Sequence, residues 1–229
     1  MICTFVKSGK PLAIFAGAVP SGETLGIIDA SFNPPTRAHT IYISLLRKSY
    51  PSCCIVLMLS IGNADKPAAP LKQLEERYEM MELVARFTEG PVCICLTTQP
   101  YFIDKARLLN AEFPQSRLVF SMGADTLVRF MDQKYYSDPL DEVLARFFSY
   151  ASLLVLDRNE DEVSGSQAVD VSQYKSPKVE IVLADDSTDQ VSSSRARLSA
   201  MNRDHKELVR IVPTYIASYM LETGIYDRV

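Results

Sequence analysis

An apolar run that ends in a tight turn and is followed by a helix constrains the fold of this chain more than any other feature. Residues 25–30 are apolar apart from Asp29, and the turn sequence Ser-Phe-Asn-Pro-Pro follows them directly. Thr36 is a good N-cap residue, and apolar side chains recur on one face of the helix that would begin there. A second apolar run follows at residues 53–61. This order predicts a β-α-β unit with parallel strands and a right-handed crossover.

The same alternation continues along the chain. Further strand-length apolar runs lie at residues 92–97, 117–122, 153–157 and 179–184. Strands that alternate with helices predict an α/β fold with a Rossmann-like doubly wound parallel sheet and helices on both faces. We expect one domain over residues 1–229, with a C-terminal helical segment from Pro213. Ligands of such sheets bind at the carboxyl ends of the strands. Residues 158–176 are polar and aperiodic, which fits either an oligomer contact or a disordered loop. The sequence is therefore compatible with a homo-oligomer.

Charge and cysteine content exclude several classes of function. The net charge is −4 over 229 residues, so the chain has no general positive field with which to hold a nucleic acid. No run approaches the ~18 apolar residues that a membrane span needs. The five cysteines show neither a disulfide framework nor a metal-binding spacing. We therefore expect an intracellular protein, cytoplasmic or nuclear, that meets any phosphate ligand with a few placed cations.

Two segments far apart in the sequence have the residue types of a phosphate-binding site. Residues 31–39 span a strand-to-helix junction, where backbone N–H groups favour an anion, and His39 can donate to a phosphoryl oxygen. In the second segment, residues 191–197, serines can cap a helix and offer hydroxyls, and Arg197 lies three residues past Ser194 on the same face. Taken alone, each segment also fits an ordinary helix, with a satisfied histidine in the first and solvated arginines in the second.

Two shorter segments are predicted at the same edge of the sheet. Lys66, in the loop after the second strand, can reach bound phosphates, and its alternative role is that of a solvated turn lysine. Gly123 and Asp125 follow another strand. The Asp125 carboxylate can accept hydrogen bonds from a ribose, and N-capping of the next helix is its alternative role.

Read in order, these motifs resemble those of the nicotinamide mononucleotide adenylyltransferases, a family of nucleotidyltransferases, in its eukaryotic and fungal form. Ser31-Phe32-Asn33-Pro34 followed by Thr36-x-x-His39 is similar to the family's H-x-G-H phosphate motif, with Thr in place of the first His. Residues 191–197 are similar to its I-S-S-T-x-x-R motif, and residues 122–125 resemble its G-A-D segment. The match covers most of the chain, and the two phosphate motifs are its most specific part.

The resemblance implies an enzyme that transfers AMP from ATP to nicotinamide mononucleotide, giving NAD and pyrophosphate in NAD biosynthesis. It implies that His39, Arg197 and Lys66 act in catalysis and that Mg²⁺ is held mainly by phosphates rather than by the protein. The residues that it assigns to ATP are Ser31, Phe32, Asn33, His39, Ser193, Ser194 and Arg197. Those that it assigns to the nicotinamide nucleotide are Ser31, Phe32, Lys66, Gly123, Asp125, Tyr101, Phe102 and Tyr136.

Two departures from the family pattern keep other functions open. Ala30 stands where the family usually has Gly, and its methyl group can crowd a backbone that approaches a phosphate. The chain has no tryptophan, which relatives often stack on the pyridine ring. Tyrosine or phenylalanine rings, at Tyr101 or Phe102 and at Tyr135 or Tyr136, either replace it or belong to the core.

The alternatives therefore include nicotinate mononucleotide as an additional acceptor and an adenylyltransferase for another phosphorylated acceptor. Two alternatives belong to other classes of function. One is a nucleotide-binding regulator or ATP hydrolase that has kept the phosphate site, and the other is an interaction module without a ligand.

Overall fold

A mostly parallel sheet forms the centre of the computed structural model, which describes residues 2–17, 23–61, 69–157, 171–183 and 191–227. Within these ranges the sheet has seven strands: β1 (Leu12–Ala16), β2 (Thr24–Ala30), β3 (Cys54–Ser60), β4 (Val92–Thr97), β5 (Arg117–Gly123), β6 (Ala151–Asp157) and β7 (Val179–Leu183). Their spatial order is β1-β4-β3-β2-β5-β6-β7, and every neighbouring pair is parallel except β1 with β4. The predicted doubly wound parallel sheet is confirmed.

Helices cover both faces of this sheet, as predicted. They are α1 (Ile2–Ser8), α2 (Arg37–Ser49), α3 (Leu71–Arg86), α4 (Phe102–Glu112), α5 (Ala124–Phe130), α6 (Leu140–Tyr150), α7 (Ser193–Met201), α8 (His205–Ile211) and α9 (Thr214–Thr223). Buried residues of α2, α3 and α9 belong to one hydrophobic core, and those of α4, α5 and α6 belong to the other. Among the helices of the described ranges, none combines the length and apolar composition needed to cross a membrane.

Strand β3 shows why the central strands read as continuous apolar runs. Successive side chains of a strand point to opposite faces of the sheet. Accordingly, one core receives Ile55, Leu57 and Leu59, and the other receives Cys54, Val56 and Met58. Because helices cover both faces, neither set of side chains meets water, and no polar alternation is required.

Strand order reverses at β2, and this reversal positions the site. The chain proceeds from β2 through β3 to β4 on one side, and through β5, β6 and β7 on the other. Ile27 of β2 therefore pairs with both Val56 of β3 and Phe120 of β5. The crevice at such a switch point opens at the carboxyl ends of the two diverging strands, here Ala30 and Gly123.

The edge strand β1 is absent from the sequence-based prediction. It pairs antiparallel with β4, with Leu12 opposite Thr97 and a register shift between Ile14 and Ala16. A short apolar stretch at the start of a chain has no periodicity that distinguishes an edge strand from other structures. The predicted C-terminal helix, in contrast, is confirmed: Pro213 is its N-cap and Gly224, at φ +59°, ends it in the left-handed conformation.

Candidate active site

The start of α2 anchors the loop that follows β2. Thr36, the buried N-cap residue, has extended backbone geometry, and its N–H donates to Nδ1 of His39 at 2.9 Å. The Thr36 hydroxyl oxygen also lies 2.9 Å from Nδ1. Because Nδ1 accepts the backbone N–H, the neutral imidazole carries its proton on Nε2. Nε2–H is therefore the donor that the ring can offer to a phosphoryl oxygen.

Phe32 packs against the same imidazole. Its side chain is 1% exposed, and its ring centroid lies 5.0 Å from that of His39. Its backbone has a φ of +44°, in the left-handed region that residues other than glycine seldom occupy. Since the residue as a whole is buried, its ring supports the imidazole, and its contact with a nucleotide stays a prediction.

The second phosphate motif packs directly onto this loop. Arg197 Nη1 donates to the carbonyl oxygen of Asn33 at 2.7 Å, across 164 positions of sequence. Ser193 Oγ donates to the carbonyl oxygen of Pro34 at 2.9 Å. The structure therefore brings Arg197 and His39 to one loop at the carboxyl end of β2, although neither motif by itself requires the other.

The start of α7 determines what its serines can offer to a ligand. The N-cap is Ser192, whose Oγ accepts the N–H of Arg195 at 3.2 Å. Ser194 Oγ accepts from Arg197 Nη2 at 3.1 Å, so its own hydroxyl proton can be donated to an anion. The hydroxyl proton of Ser193 is used on the loop, and its backbone N–H at the helix start is the group suited to a phosphate.

Tyr226, which follows α9, reaches the loop from a third direction. Its hydroxyl donates to Asn33 Oδ1 at 2.8 Å. Burial raises the pKa of this phenol, and the positive charges of Arg197 and Arg77 lower it by less. The hydroxyl therefore stays protonated and remains a donor. The sequence-based site prediction does not include Tyr226, because its contact with Asn33 depends on how the C-terminal segment packs.

The electrostatic surroundings of a further guanidinium, that of Arg77, include this cluster. Burial lowers the pKa of Arg77 in α3; the positive charge of Arg197 lowers it further by less, and Tyr226 and Glu76 act in the opposite direction. The Nε of Arg77 is buried and has no hydrogen-bond partner within the described residues. The sequence offers no reason to select Arg77, since arginine is common on the surfaces of helices.

A buried ion pair precedes the loop. Asp29 in β2 binds Lys105 Nζ of α4 and also accepts from Ser60 Oγ of β3 at 2.9 Å. The side chains of Lys105 and Asp29 are only 3% and 8% exposed. The pair links two strand ends to α4 and is absent from the sequence-based site prediction. The one available signal was a single carboxylate within an apolar strand.

Gly123 and Asp125 lie at the end of β5, on the other side of the crevice. Gly123 is the N-cap of α5, and a Cβ at this position would lie 2.9 Å from Tyr42 Oη and 3.0 Å from Asp125 Oδ1. The side chain of Asp125 is 83% exposed and pairs with Arg129 at 3.3 Å. N-capping by Asp125 is therefore wrong, because Gly123 holds that position and Asp125 belongs to the first turn.

The candidate aromatic residues divide between core and surface. Phe102 packs edge-on against Phe120 and Phe130, with centroids 5.8 and 5.7 Å away, and is a core residue. Tyr101 is 37% exposed, and its ring centroid lies 6.2 Å from that of Tyr136. The Tyr136 hydroxyl donates to the Phe130 carbonyl at 2.9 Å, which fixes that ring. Of the candidate rings, Phe102 is thus the least suited to stack on a pyridine, and stacking by Tyr101, Tyr135 or Tyr136 stays a prediction.

Several other sequence-based expectations can be compared with the structure. The side chain of Ala30 packs against the hydrophobic core, so the expected crowding of a phosphate by its methyl group is not favoured. Lys66 and residues 158–170 lie outside the described residues. Within the described ranges, no group of three or more His, Cys, Asp or Glu side chains is arranged to hold a metal ion, and all five cysteines are free thiols.

Known proteins resemble this chain over most of its length. A provisionally named nicotinamide mononucleotide adenylyltransferase of Schizosaccharomyces pombe is 30% identical over 235 residues, which cover 94% of this chain and 91% of the relative. A provisionally named nicotinate-nucleotide adenylyltransferase of Gloeobacter violaceus is 26% identical over 215 residues, covering 90% and 97%.

Solved structures share the fold, and a family model covers both phosphate motifs. The Plasmodium falciparum nicotinic acid mononucleotide adenylyltransferase complexed with NaAD superposes with a TM-score of 0.67 at 15% identity, over 90% of this chain and 98% of that one. The family model described as cytidylyltransferase-like matches residues 27–199, which include both motifs and their crevice. The chain therefore belongs to the cytidylyltransferase-like family.

Proposed function

We propose that this protein is an adenylyltransferase that moves AMP from ATP to nicotinamide mononucleotide, forming NAD and releasing pyrophosphate. Nicotinate mononucleotide is the second acceptor to consider, since relatives are named for both substrates. The observation that carries the proposal is the hydrogen bond from Arg197 to Asn33, which joins the two phosphate motifs at one strand end. The proposal treats residues 1–229 as a single nucleotidyltransferase domain.

In the proposed reaction, an oxygen of the acceptor's phosphate attacks the α-phosphorus of ATP in line with the leaving group. The new P–O bond forms as the bond from the α-phosphorus to the bridging oxygen breaks, and pyrophosphate leaves with that electron pair. No side chain acts as a nucleophile. The chain's task is to position both substrates and to neutralise charge on the phosphate oxygens.

The donors on the loop and on α7 suit this task. Nε2–H of His39 donates to a phosphoryl oxygen, and the guanidinium of Arg197 binds the same triphosphate. The guanidinium of Arg197 donates to a carbonyl and a hydroxyl oxygen, which are neutral acceptors, so its positive charge is left for the phosphates. The Ser194 hydroxyl and the backbone at the start of α7 add donors, and Lys66 assists from the loop after β3.

The acceptor is assigned to the other side of the crevice. The backbone at Ser31 and Gly123 lies along the dinucleotide, and the Asp125 carboxylate accepts from a ribose hydroxyl. Tyr101 and Tyr136 receive the pyridine ring by offset stacking, in place of the tryptophan that the chain lacks.

Magnesium, which the family resemblance implies, fits this crevice as an ion that arrives with ATP. The buried carboxylate of Asp29 is already bound to Lys105 and Ser60, so it has little capacity left for a metal. Mg²⁺ in nucleotide sites is held largely by substrate phosphates and keeps several waters. When bound, it would neutralise phosphate charge, while His39 and Arg197 orient the phosphates.

The direct test is product formation by the purified protein. Incubation with ATP, magnesium and nicotinamide mononucleotide should give dinucleotide and pyrophosphate in equal amounts, and a parallel reaction with nicotinate mononucleotide measures acceptor preference. Phosphate release without dinucleotide would favour the hydrolase alternative. A melting temperature that ATP does not raise would indicate that the crevice binds no nucleotide.

A further inference from the structure

The ion pair between Asp29 and Lys105 joins the strand that precedes the phosphate loop to the first turn of α4. Asp29 lies in β2, two residues before Ser31, and its Oδ1 accepts from Ser60 Oγ at 2.9 Å. Lys105 Nζ binds the other carboxylate oxygen, Oδ2, and lies 5.0 Å from the centroid of the Phe102 ring. With side chains only 3% and 8% exposed, the pair is largely protected from screening by salt.

Lys105 also contacts Tyr101, through its main chain. Tyr101 is the N-cap of α4, and its carbonyl oxygen accepts the N–H of Lys105 at 3.2 Å. Lys105 thus holds the N-cap by its backbone and Asp29 by its side chain. Tyr101 is 37% exposed, and its ring centroid lies 6.2 Å from that of Tyr136, so the ring is accessible to a ligand.

A buried ion pair is a poor source of stability by itself, because the cost of removing both charges from water offsets much of their attraction. It does fix the relative position of its two partners, since separating them would leave an unpaired charge in the interior. Apolar contacts at the start of α4, such as those of Phe102, are not directional in this way. The pair is therefore suited to fix the first turn of α4 relative to the end of β2.

We propose that the Asp29–Lys105 pair positions Tyr101 relative to the phosphate loop and thereby sets the affinity for the acceptor mononucleotide. This inference rests on the proposed function, in which the Tyr101 ring stacks on the pyridine. Lys105 is a positioning residue, since it acts through Tyr101 and its ammonium is occupied by Asp29. The phosphates of ATP are assigned to His39 and Arg197, so the pair should affect the acceptor and not ATP.

The test uses the double variant Asp29→Leu, Lys105→Met, which removes both charges and leaves no unpaired one in the interior. Arg107→Met is the matched control, because it removes an exposed cation of the same helix, 3.4 Å from Asp104. In the double variant, the KM for nicotinamide mononucleotide should rise about three- to tenfold, the range expected for loss of one aromatic stacking contact. Both kcat and the KM for ATP should stay within about twofold of wild type, because a contact made equally in the ground state and the transition state changes KM alone. Arg107→Met should match wild type in every constant.

A double-mutant cycle with Tyr101→Ala tests whether the pair acts through that ring. In the wild-type background, Tyr101→Ala should raise the KM for nicotinamide mononucleotide about tenfold, and in the background of the double variant it should add less than about twofold. Ser60→Ala keeps the test decisive if the double variant does not fold. It removes one hydrogen bond to Asp29 and should raise the same KM about twofold, with no change in the KM for ATP.

Three results would overturn the inference. An equal rise of both KM values would make the pair purely structural, and unchanged KM values in the double variant and in Ser60→Ala would show that it does not affect the acceptor. Additive effects in the cycle would show that it does not act through Tyr101. Dissociation constants measured by calorimetry need no turnover. A wild-type chain whose affinity for nicotinamide mononucleotide depends on this pair, but which forms no dinucleotide, would refute the transfer reaction and support this inference.

Discussion

Two groups of cations near the carboxyl end of β2 have opposite electrostatic surroundings. Lys105 is almost fully buried and is bound to the carboxylate of Asp29, which also accepts from Ser60. Arg197 donates to a carbonyl and a hydroxyl oxygen, and the buried Nε of Arg77 has no hydrogen-bond partner within the described residues. The first cation is neutralised within the protein, whereas the other two keep their charge.

This difference separates a structural role from a ligand-binding role. A buried ion pair is self-contained, so it can hold strand ends and a helix together whether or not a ligand is present. An arginine bonded only to neutral oxygens is oriented without being neutralised, which suits it to an incoming phosphate. Removing Lys105 should therefore change folding, and removing Arg197 should change catalysis.

The largest effect is expected from Lys105→Met. This change leaves the Asp29 carboxylate buried without its cation, and we expect a loss of ~3–5 kcal/mol in the free energy of unfolding. Urea denaturation followed by circular dichroism measures it. The double variant Asp29→Leu, Lys105→Met should recover much of the loss, because no unpaired charge is left. A single variant within ~1 kcal/mol of wild type would show that the pair is not structurally important.

For Arg197→Ala we expect the reverse pattern. Loss of a preorganised cation should lower kcat/KM for dinucleotide formation roughly a hundredfold, or ~3 kcal/mol, with little change in unfolding free energy. Arg210→Ala is the matched control, because Arg210 is an exposed helix arginine that is 3.9 Å from Glu207. Near-normal turnover by purified Arg197→Ala would contradict the proposed role, and so would an equal loss in the control.

The contrast between the two groups also explains what could be predicted from sequence. Local patterns identify the strand, turn and helix around His39, because N-caps and apolar periodicity act over a few residues. The pairing of Asp29 with Lys105 spans 76 positions and depends on how α4 packs on the sheet. Arg77 looks like any helix-surface arginine until its surroundings are known, and Tyr226 becomes a site residue only through the packing of the C-terminal segment.

His39→Ala should lower kcat/KM by an amount similar to or somewhat smaller than Arg197→Ala, again up to ~3 kcal/mol. The change removes the Nε2–H donor and also the acceptor of the Thr36 backbone N–H. His39→Asn provides a comparison, because its shorter side chain can still accept from the start of the helix but cannot place a donor at the position of Nε2. Equal activity of the wild type and both variants, at equal stability, would exclude His39 from the phosphate site.

The smallest effect is expected from Tyr226→Phe, which tests whether positioning of Asn33 matters to the charged cluster. The variant loses one hydrogen bond to Asn33 Oδ1, worth ~1 kcal/mol, and should lower kcat/KM about fivefold by loosening the loop on which Arg197 rests. Tyr219→Phe loses a comparable bond, to Glu79 at 2.5 Å, and should leave kcat/KM unchanged because this bond goes to α3 rather than to Asn33. Because burial raises the pKa of Tyr226, its hydroxyl stays a donor at least up to the ordinary ionisation range of tyrosine, near pH ~10. The fivefold difference in kcat/KM between wild type and Tyr226→Phe should therefore be constant below that pH. If Tyr219→Phe lowers kcat/KM as much as Tyr226→Phe does, the effect comes from the C-terminal segment as a whole rather than from Asn33.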